Sequence, residues 1–373
     1  MTRKLRVGVL FGGRSGEHEI SLVSATSVMN ALDKTKYDIV PIGITKEGRW
    51  LTGGEPMQLL QARAEEIEVS KPDGLPDTSR DLVTSRMELV PGTERAGIPY
   101  VDVIFPVLHG PYGEDGTVQG LLELAGIPYV GAGVLGSALA MDKAAAKDIF
   151  RARGLPCTDY VLVMRWEWER NPDNVLERVE SRIGYPCFVK PVNLGSSVGV
   201  SKVHEAAGLP AALDLAAQYD RRLLVERAIN AREIECSVLG NDHPIASVLG
   251  EIVPKREFYD YIAKYRDDST DLIIPADLPE EKTAEIQDLA VQAFLALDCA
   301  GMARADFFLC RDTEQAYLNE LNTIPGFTSV SMYPKLWEAS GLPYAKLLDR
   351  LIELALDRYE DRRRMSTSHD SEI

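Results

Sequence analysis

Apolar positions open the chain as a nearly continuous run over residues 5–11, the pattern of a strand covered on both faces. Gly12-Gly13-Arg14-Ser15-Gly16 breaks that run, and Leu22, Ala25, Met29 and Leu32 then recur at helical spacing. A second strand is predicted over 38–44, which makes the start a βαβ unit of a doubly wound parallel sheet. Residues 46–97 are polar, interrupted by Gly and Pro and poorly periodic, and read as an insertion with loops and short strands. A further strand is expected at 101–108, then a helix burying Val118, Leu121, Leu122 and Ala125, with Gly126 as its stop. A short strand at 128–130 runs into a linker containing Gly131, Gly133 and Gly136, where the first domain boundary falls.

The middle region opens on a helix over 142–153, capped by Asp142 and stopped by Gly154. Strands are expected at 160–164, 188–190, 199–203 and 223–226, in a small α+β domain. Beyond Ala228 come strands at 234–239, 245–251, 305–310 and 317–321. A helix there aligns Ile286, Leu289, Ala290, Ala293 and Leu297, and a last helix starts with Pro343 at its first position. The expected division is 1–133, 134–227 and 228–373, an α/β chain with α+β parts.

Composition narrows the function. The chain has 373 residues, 45% hydrophobic and 26% charged, the balance of a globular protein. Its formal charge of −16 argues against nucleic acid and anionic membrane as partners. It does not oppose a small anion, because a few lysines can reverse the field inside a cleft. No apolar run approaches the ~18 residues of a membrane span, and the N-terminus lacks a secretory pattern. Five scattered cysteines without metal spacing read as reduced, buried thiols of a cytoplasmic protein.

Three segments carry candidate chemistry. In the first, a strand ends at Lys190 and a loop with Gly195, Ser196, Ser197 and Gly199 follows. Such a loop either cradles phosphate with its N–H groups and hydroxyls or is an ordinary hairpin turn. It is not a Walker A motif, since the Gly-Lys-Ser/Thr order and the following helix are missing. In the second, residues i and i+2 of a strand share a face, so Arg304 points with Asp306 and Glu320 with Asn322. On adjacent strands, two carboxylates and an amide would converge as hard oxygen ligands for Mg²⁺ or Mn²⁺. On separate strands they would be solvated polar faces. In the third, aromatics and lysines around Phe258, Lys264 and Tyr265 fit either a lid or a bare exposed loop.

Eight phrases in order resemble the D-alanine–D-alanine ligases of the ATP-grasp superfamily. They are FGGRSGEHEISLVSA, LHGPYGEDGTVQGLLELAGIPYVGAG, AMDKAAAK, VKPVNLGSSVGVSKV, VERAINAREIECSVLG, FYDYIAKY, ARADFF and YLNELNTIPGFTSVSMYP. The resemblance implies three domains with ATP clamped between the second and third, and an acyl phosphate route to a dipeptide. It implies phosphate contacts from Lys143 and Lys190, with Ser196 and Ser197 in a flap over them. It places Glu226, Arg227, Ala228, Ile229 and Phe258 around the base and Glu233 on the ribose. It makes Asp306, Glu320 and Asn322 the ligands of two magnesium ions, with manganese as a substitute. It assigns the first D-alanine to Glu17, Ser196, Tyr265 and His109, the last supported by Glu114. It gives the oxyanion hole to Arg304 and the N–H of Gly326, and the second carboxylate to Ser331 and Lys264 with Met332 beside it. Relatives making D-alanyl-D-lactate differ in the lid, some with phenylalanine for the tyrosine, so Tyr265 favours the dipeptide. The family commonly forms homodimers. A dehydrogenase-like reading of the opening βαβ unit is weaker, because the turn is not Gly-x-Gly-x-x-Gly and no acidic residue closes the second strand.

Overall fold

The computed structural model describes residues 3–52, 56–61, 100–254 and 270–366. Its first sheet is β1 (Leu5–Gly12), β2 (Tyr37–Ile44), β3 (Trp50–Thr52) and β4 (Val103–Val107), in the order β3-β2-β1-β4. β1 runs parallel to both β2 and β4, and β3 is an antiparallel edge. Helix α1 (His18–Ala31) buries Leu22, Ala25 and Val28 against it, as the helical spacing requires. Helix α2 (Thr117–Leu124) follows β4. Where a strand was expected at 128–130, only a single bridge joins Ile104 and Tyr129.

The glycine-rich stretch after it is not a linker. Helix α3 (Val134–Met141) occupies it and contains Gly136. A Cβ on Gly136 would meet the Asp298 carbonyl oxygen at 2.6 Å. The glycine permits close packing across the chain, whereas sequence alone reads it as a breaker.

Helix α4 (Lys143–Ala152) starts where expected, with the Asp142 side chain accepting from Ala145 N at 2.9 Å. The second sheet, in the order β5-β8-β6-β7, is antiparallel throughout. It comprises β5 (Tyr160–Met164), β6 (Cys187–Pro191), β7 (Ser201–Val203) and β8 (Arg222–Arg227). Helices α5 (Arg165–Arg170), α6 (Pro172–Arg182) and α7 (Leu209–Ala217) accompany it. Val175, Val179, Leu209 and Leu213 join Val161, Val163, Val189 and Val225 in a core of its own.

The third sheet, β11-β10-β9-β12-β13, is also antiparallel. Its strands are β9 (Ala231–Gly240), β10 (Ile245–Pro254), β11 (Thr270–Ile273), β12 (Gly301–Cys310) and β13 (Ala316–Asn322). Helix α8 (Glu280–Ala296) covers one face with Ile286, Ala290, Ala293 and Phe294. The chain then returns to the first sheet through α9 (Met332–Ala339) and α10 (Tyr344–Arg363). Pro343 sits one position outside α10 as its N-cap, in extended backbone at ψ 150°.

Phe327, Tyr333, Leu347 and Leu351 share one core with Val7, Val9, Phe11 and Phe105. Phe105 and Phe327 meet edge to face at 5.7 Å. Each such side chain contributes ~1.5–3 kcal/mol of burial. The end of the chain is therefore packed onto its beginning. Cys187, Cys236 and Cys299 are buried free thiols, while Cys157 and Cys310 are only half-buried, contrary to the expectation for all five. Among the described residues no helix is long and apolar enough to cross a membrane.

Candidate functional site

A cavity of ≈ 580 Å³ opens between the second and third sheets. Lys143, Lys190, Ser196, Ser197, Glu226, Arg227, Ala228, Ile229, Glu233, Asp306 and Glu320 all line it, from segments far apart in sequence. Tyr265, Lys264 and Phe258 lie outside the described residues.

Its floor is a cluster of buried charges. Glu226, the last residue but one of β8, has only 2% of its surface exposed. One carboxylate oxygen pairs with Lys190, and the other lies 3.2 Å from Lys147 Nζ and accepts from Thr158 Oγ1 at 3.1 Å. Burial alone would raise the carboxyl of Glu226; Lys147 and Lys190 outweigh it and hold the group at about 2. Burial pushes the Lys190 ammonium down, and Glu226 opposes that. Lys143 stands at the start of α4, 3.0 Å from Glu320 Oε2, and donates to the Leu194 carbonyl at 2.8 Å. Burial works against its charge, but Glu320 wins and raises its pKa. Glu226 thus lines the cavity with both carboxylate oxygens already engaged. Lys147 went unassigned in the sequence. Its one signal was its place four residues after Lys143, on the same helix face.

β12 and β13 are adjacent, so the two polar strand faces converge. Asp306 sits opposite Glu320 on one side and Glu235 on the other, and Arg304 opposite Asn322. Arg304 forks onto Asp306 with both contacts at 2.7 Å, and its Nε lies 3.1 Å from Glu235 Oε2. Asn322 donates to Asp306 at 2.9 Å. Burial opposes the Arg304 charge, yet its acidic neighbours raise its pKa well above the usual value. A bulge between Asp306 and Phe307 leaves Asn319 without a register partner on β12. Both Asn319 and Glu320 consequently face the cavity, breaking strict alternation. Asn319 Oδ1 accepts from Lys190 at 3.4 Å. Sequence reading missed Asn319 and Glu235. The three-residue spacing from Leu318 to Leu321, both buried, was the available sign of the bulge.

Among the described residues no group of three or more His, Cys, Asp or Glu side chains is arranged to hold a metal ion. The convergent set is two carboxylates and an amide: Asp306 accepts from Arg304 and from the Asn322 amide, and Glu320 pairs with Lys143. Asp306 and Glu320 open to a cavity lined with lysines, with Asn322 behind them outside its lining, and their oxygens fit a hard divalent cation shared with phosphate.

At the cavity mouth the loops of the first sheet arrive. Ser196 and Ser197 both take left-handed backbone, at φ 51° and 59°, which costs roughly 1–2 kcal/mol each in a non-glycine residue. The Ser196 hydroxyl donates to Glu17 and ties the loop to the residue before α1. Ser15 Oγ donates to the His109 carbonyl at 2.6 Å and accepts from Glu17 N at 3.2 Å. The His109 ring is buried between the Ile324 carbonyl at 3.1 Å and Ser24 Oγ at 3.3 Å. Burial pushes its imidazole toward the neutral form. Glu114 supports it through the backbone: its oxygens accept from Gly110 N at 2.6 Å and Ile324 N at 3.3 Å. Burial and the charge of Glu17 push the Glu114 carboxyl up to about 8.

In the turn before α9, Ser331 Oγ accepts from Thr328 N at 3.1 Å, and a Cβ on Gly326 would lie 3.1 Å from that oxygen. Met332 is buried with Ile252 and Leu336, so its side chain packs beneath α9.

Residues 6–132 match the family model described as D-ala D-ala ligase N-terminus, and residues 149–353 match the D-ala D-ala ligase C-terminus. The chain belongs to the D-alanine–D-alanine ligase family. A D-alanine–D-alanine ligase from Ruminiclostridium cellulolyticum is 52% identical, with 98% of this chain and 99% of that protein covered. One from Thermoanaerobacter sp. (strain X514) is 54% identical over 96% of this chain and 98% of its own length. The solved structure of the Coxiella burnetii D-alanine–D-alanine ligase matches with a TM-score of 0.80 at 39% identity, covering 97% of this chain and 96% of that one. The VanG D-Ala:D-Ser ligase from Enterococcus faecalis also gives 0.80 at 39% identity, covering 95% of this chain and 100% of its own. Members of the D-alanine–D-alanine ligase family are ADP-forming enzymes of peptidoglycan precursor synthesis that use ATP, D-alanine and a divalent metal.

Proposed function

We propose that the cavity couples ATP cleavage to the joining of two D-alanines through a D-alanyl phosphate. A free carboxylate is a poor electrophile, because its charge repels a nucleophile and it lacks a good leaving group. Phosphoryl transfer to the first D-alanine supplies one. The amine of the second D-alanine then attacks the carbonyl carbon, and phosphate departs from the tetrahedral intermediate. The observation that carries this reading is the pairing of a lysine-rich floor with an oxygen-rich strand face in one cavity.

Lys143 and Lys190 bind the ATP phosphates under the loop of Ser196 and Ser197. The backbone of residues 226–229 lines the base, Phe258 also binds ATP, and Glu233 takes the ribose. Asp306, Glu320 and Asn322 would hold two magnesium ions, or manganese. Such ions neutralise charge on the phosphoryl oxygens. Glu17 holds the first ammonium, with Ser196, Tyr265 and His109 around it. Arg304 and the Gly326 N–H receive the oxyanion. Ser331 and Lys264 bind the second carboxylate near Met332. The working enzyme is a cytoplasmic homodimer that engages neither nucleic acid nor membrane, with domains 1–133, 134–227 and 228–373.

Phosphate release from Mg-ATP with D-alanine, L-alanine or no amino acid tests the reading. D-Alanine alone should drive turnover, and D-lactate or D-serine should compete poorly as second substrate at neutral pH. Absence of D-alanine-dependent release overturns it.

A further inference from the structure

One charged residue of the floor has no part in the scheme above. Lys147 has 0% of its surface exposed, and the cavity wall does not include it. It lies one helical turn after Lys143, so α4 presents two ammoniums on one face. The Lys143 ammonium reaches Glu320 at 3.0 Å. The Lys147 ammonium reaches Glu226 at 3.2 Å and donates to Thr158 Oγ1 at 2.7 Å. Glu226 thus bridges a lysine inside the wall and a lysine on its surface, Lys190. Burying an ammonium is costly, and an apolar side chain of similar volume would fill the space without that cost. A structural filler at this position does not need the charge.

We propose that Lys147 is a positioning residue for ATP. By occupying one oxygen of Glu226, it lets that carboxylate orient Lys190 without cancelling its charge. Two ammoniums against one carboxylate leave a positive floor. Without Lys147, Glu226 and Lys190 form a neutral pair, and Lys190 is drawn down onto the carboxylate and away from the phosphates. The proposal rests on the ligase reading for which phosphates are bound. Its deciding measurement is nucleotide binding without D-alanine, so the two fail separately.

The experiment compares affinities of ATP with Mg²⁺ and of adenosine for the full-length wild type, K147M and K147M/E226Q. K147M should weaken ATP roughly tenfold or more, since a single charge in a partly desolvated site carries about that weight, and should leave adenosine unchanged. K147M/E226Q removes one charge of each sign and should recover most of the ATP affinity. Steady-state kinetics should show the same split, with KM for ATP raised and KM for D-alanine unmoved. Unchanged ATP affinity in K147M overturns the proposal. So does equal loss for ATP and adenosine, or a double variant no better than the single one. Should K147M fail to fold, a folded K147M/E226Q with the wild-type ATP-to-adenosine ratio supports it. Failure of both to fold makes Lys147 a core residue only and overturns it.

Discussion

At one end of the buried charge cluster Glu235, Asp306 and Glu320 face Arg304 and Lys143; at the other, Lys147 and Lys190 face Glu226. Both ends use the same chemistry, buried carboxylates held by cations. Their balance is opposite. The strand-face end keeps an excess of carboxylate, and the floor keeps an excess of ammonium. A ligand that presents a cation to the first and phosphate to the second relieves both. A metal-bound nucleotide has that polarity, which neither end specifies alone. The net charge of −16 describes the whole surface and is silent about this gradient.

Breaking the negative end should have the largest effect. Glu320→Gln keeps the shape but removes the charge that meets Lys143. Turnover should fall by at least about 10³-fold while circular dichroism and the thermal midpoint stay near wild type. Activity above a tenth of wild type would mean that the strand face does not hold the metal. Breaking the positive end comes next. Lys190→Met leaves Glu226 with Lys147 alone, and KM for ATP should rise on the order of 10–100-fold with KM for D-alanine little changed.

The smallest effect sharpens the comparison with a third carboxyl. Glu114 is half-buried where Glu226 is buried, has backbone donors and, among the described residues, no lysine salt bridge, and its carboxyl stands at about 8 instead of about 2. The unfolded chain releases that proton at ~4.3. Between those values the native state binds the extra proton, so this group makes stability fall as pH rises. Urea midpoints at pH 5 and pH 8 should therefore differ more in wild type than in Glu114→Gln. Equal slopes would show that Glu114 is not the group responsible.

Much of this was legible beforehand, for local reasons. The face shared by Asp306, Glu320 and Asn322 follows from a period of two. The cap at Asp142 follows from its side chain and the apolar pattern after it. Other features were not local. Asn319 reaches the cavity because β13 carries a bulge against β12, which is a property of the pair. Gly136 sits inside a helix because Asp298 approaches it from 162 residues away. Glu114 acts through Ile324, on another layer of the fold.

The sequence by itself determined which side chains share a strand or helix face, where most elements begin, and which family the chain resembles. Those depend on backbone geometry over a few residues. Only the tertiary structure decided that Lys147 is sealed in the floor, that Glu226 is shared by two lysines, and that residues 327–355 complete the core of the first sheet. Burial and charge pairing are set by what approaches from distant parts of the chain. A lysine on an amphipathic helix looks the same in sequence whether water or a carboxylate meets it.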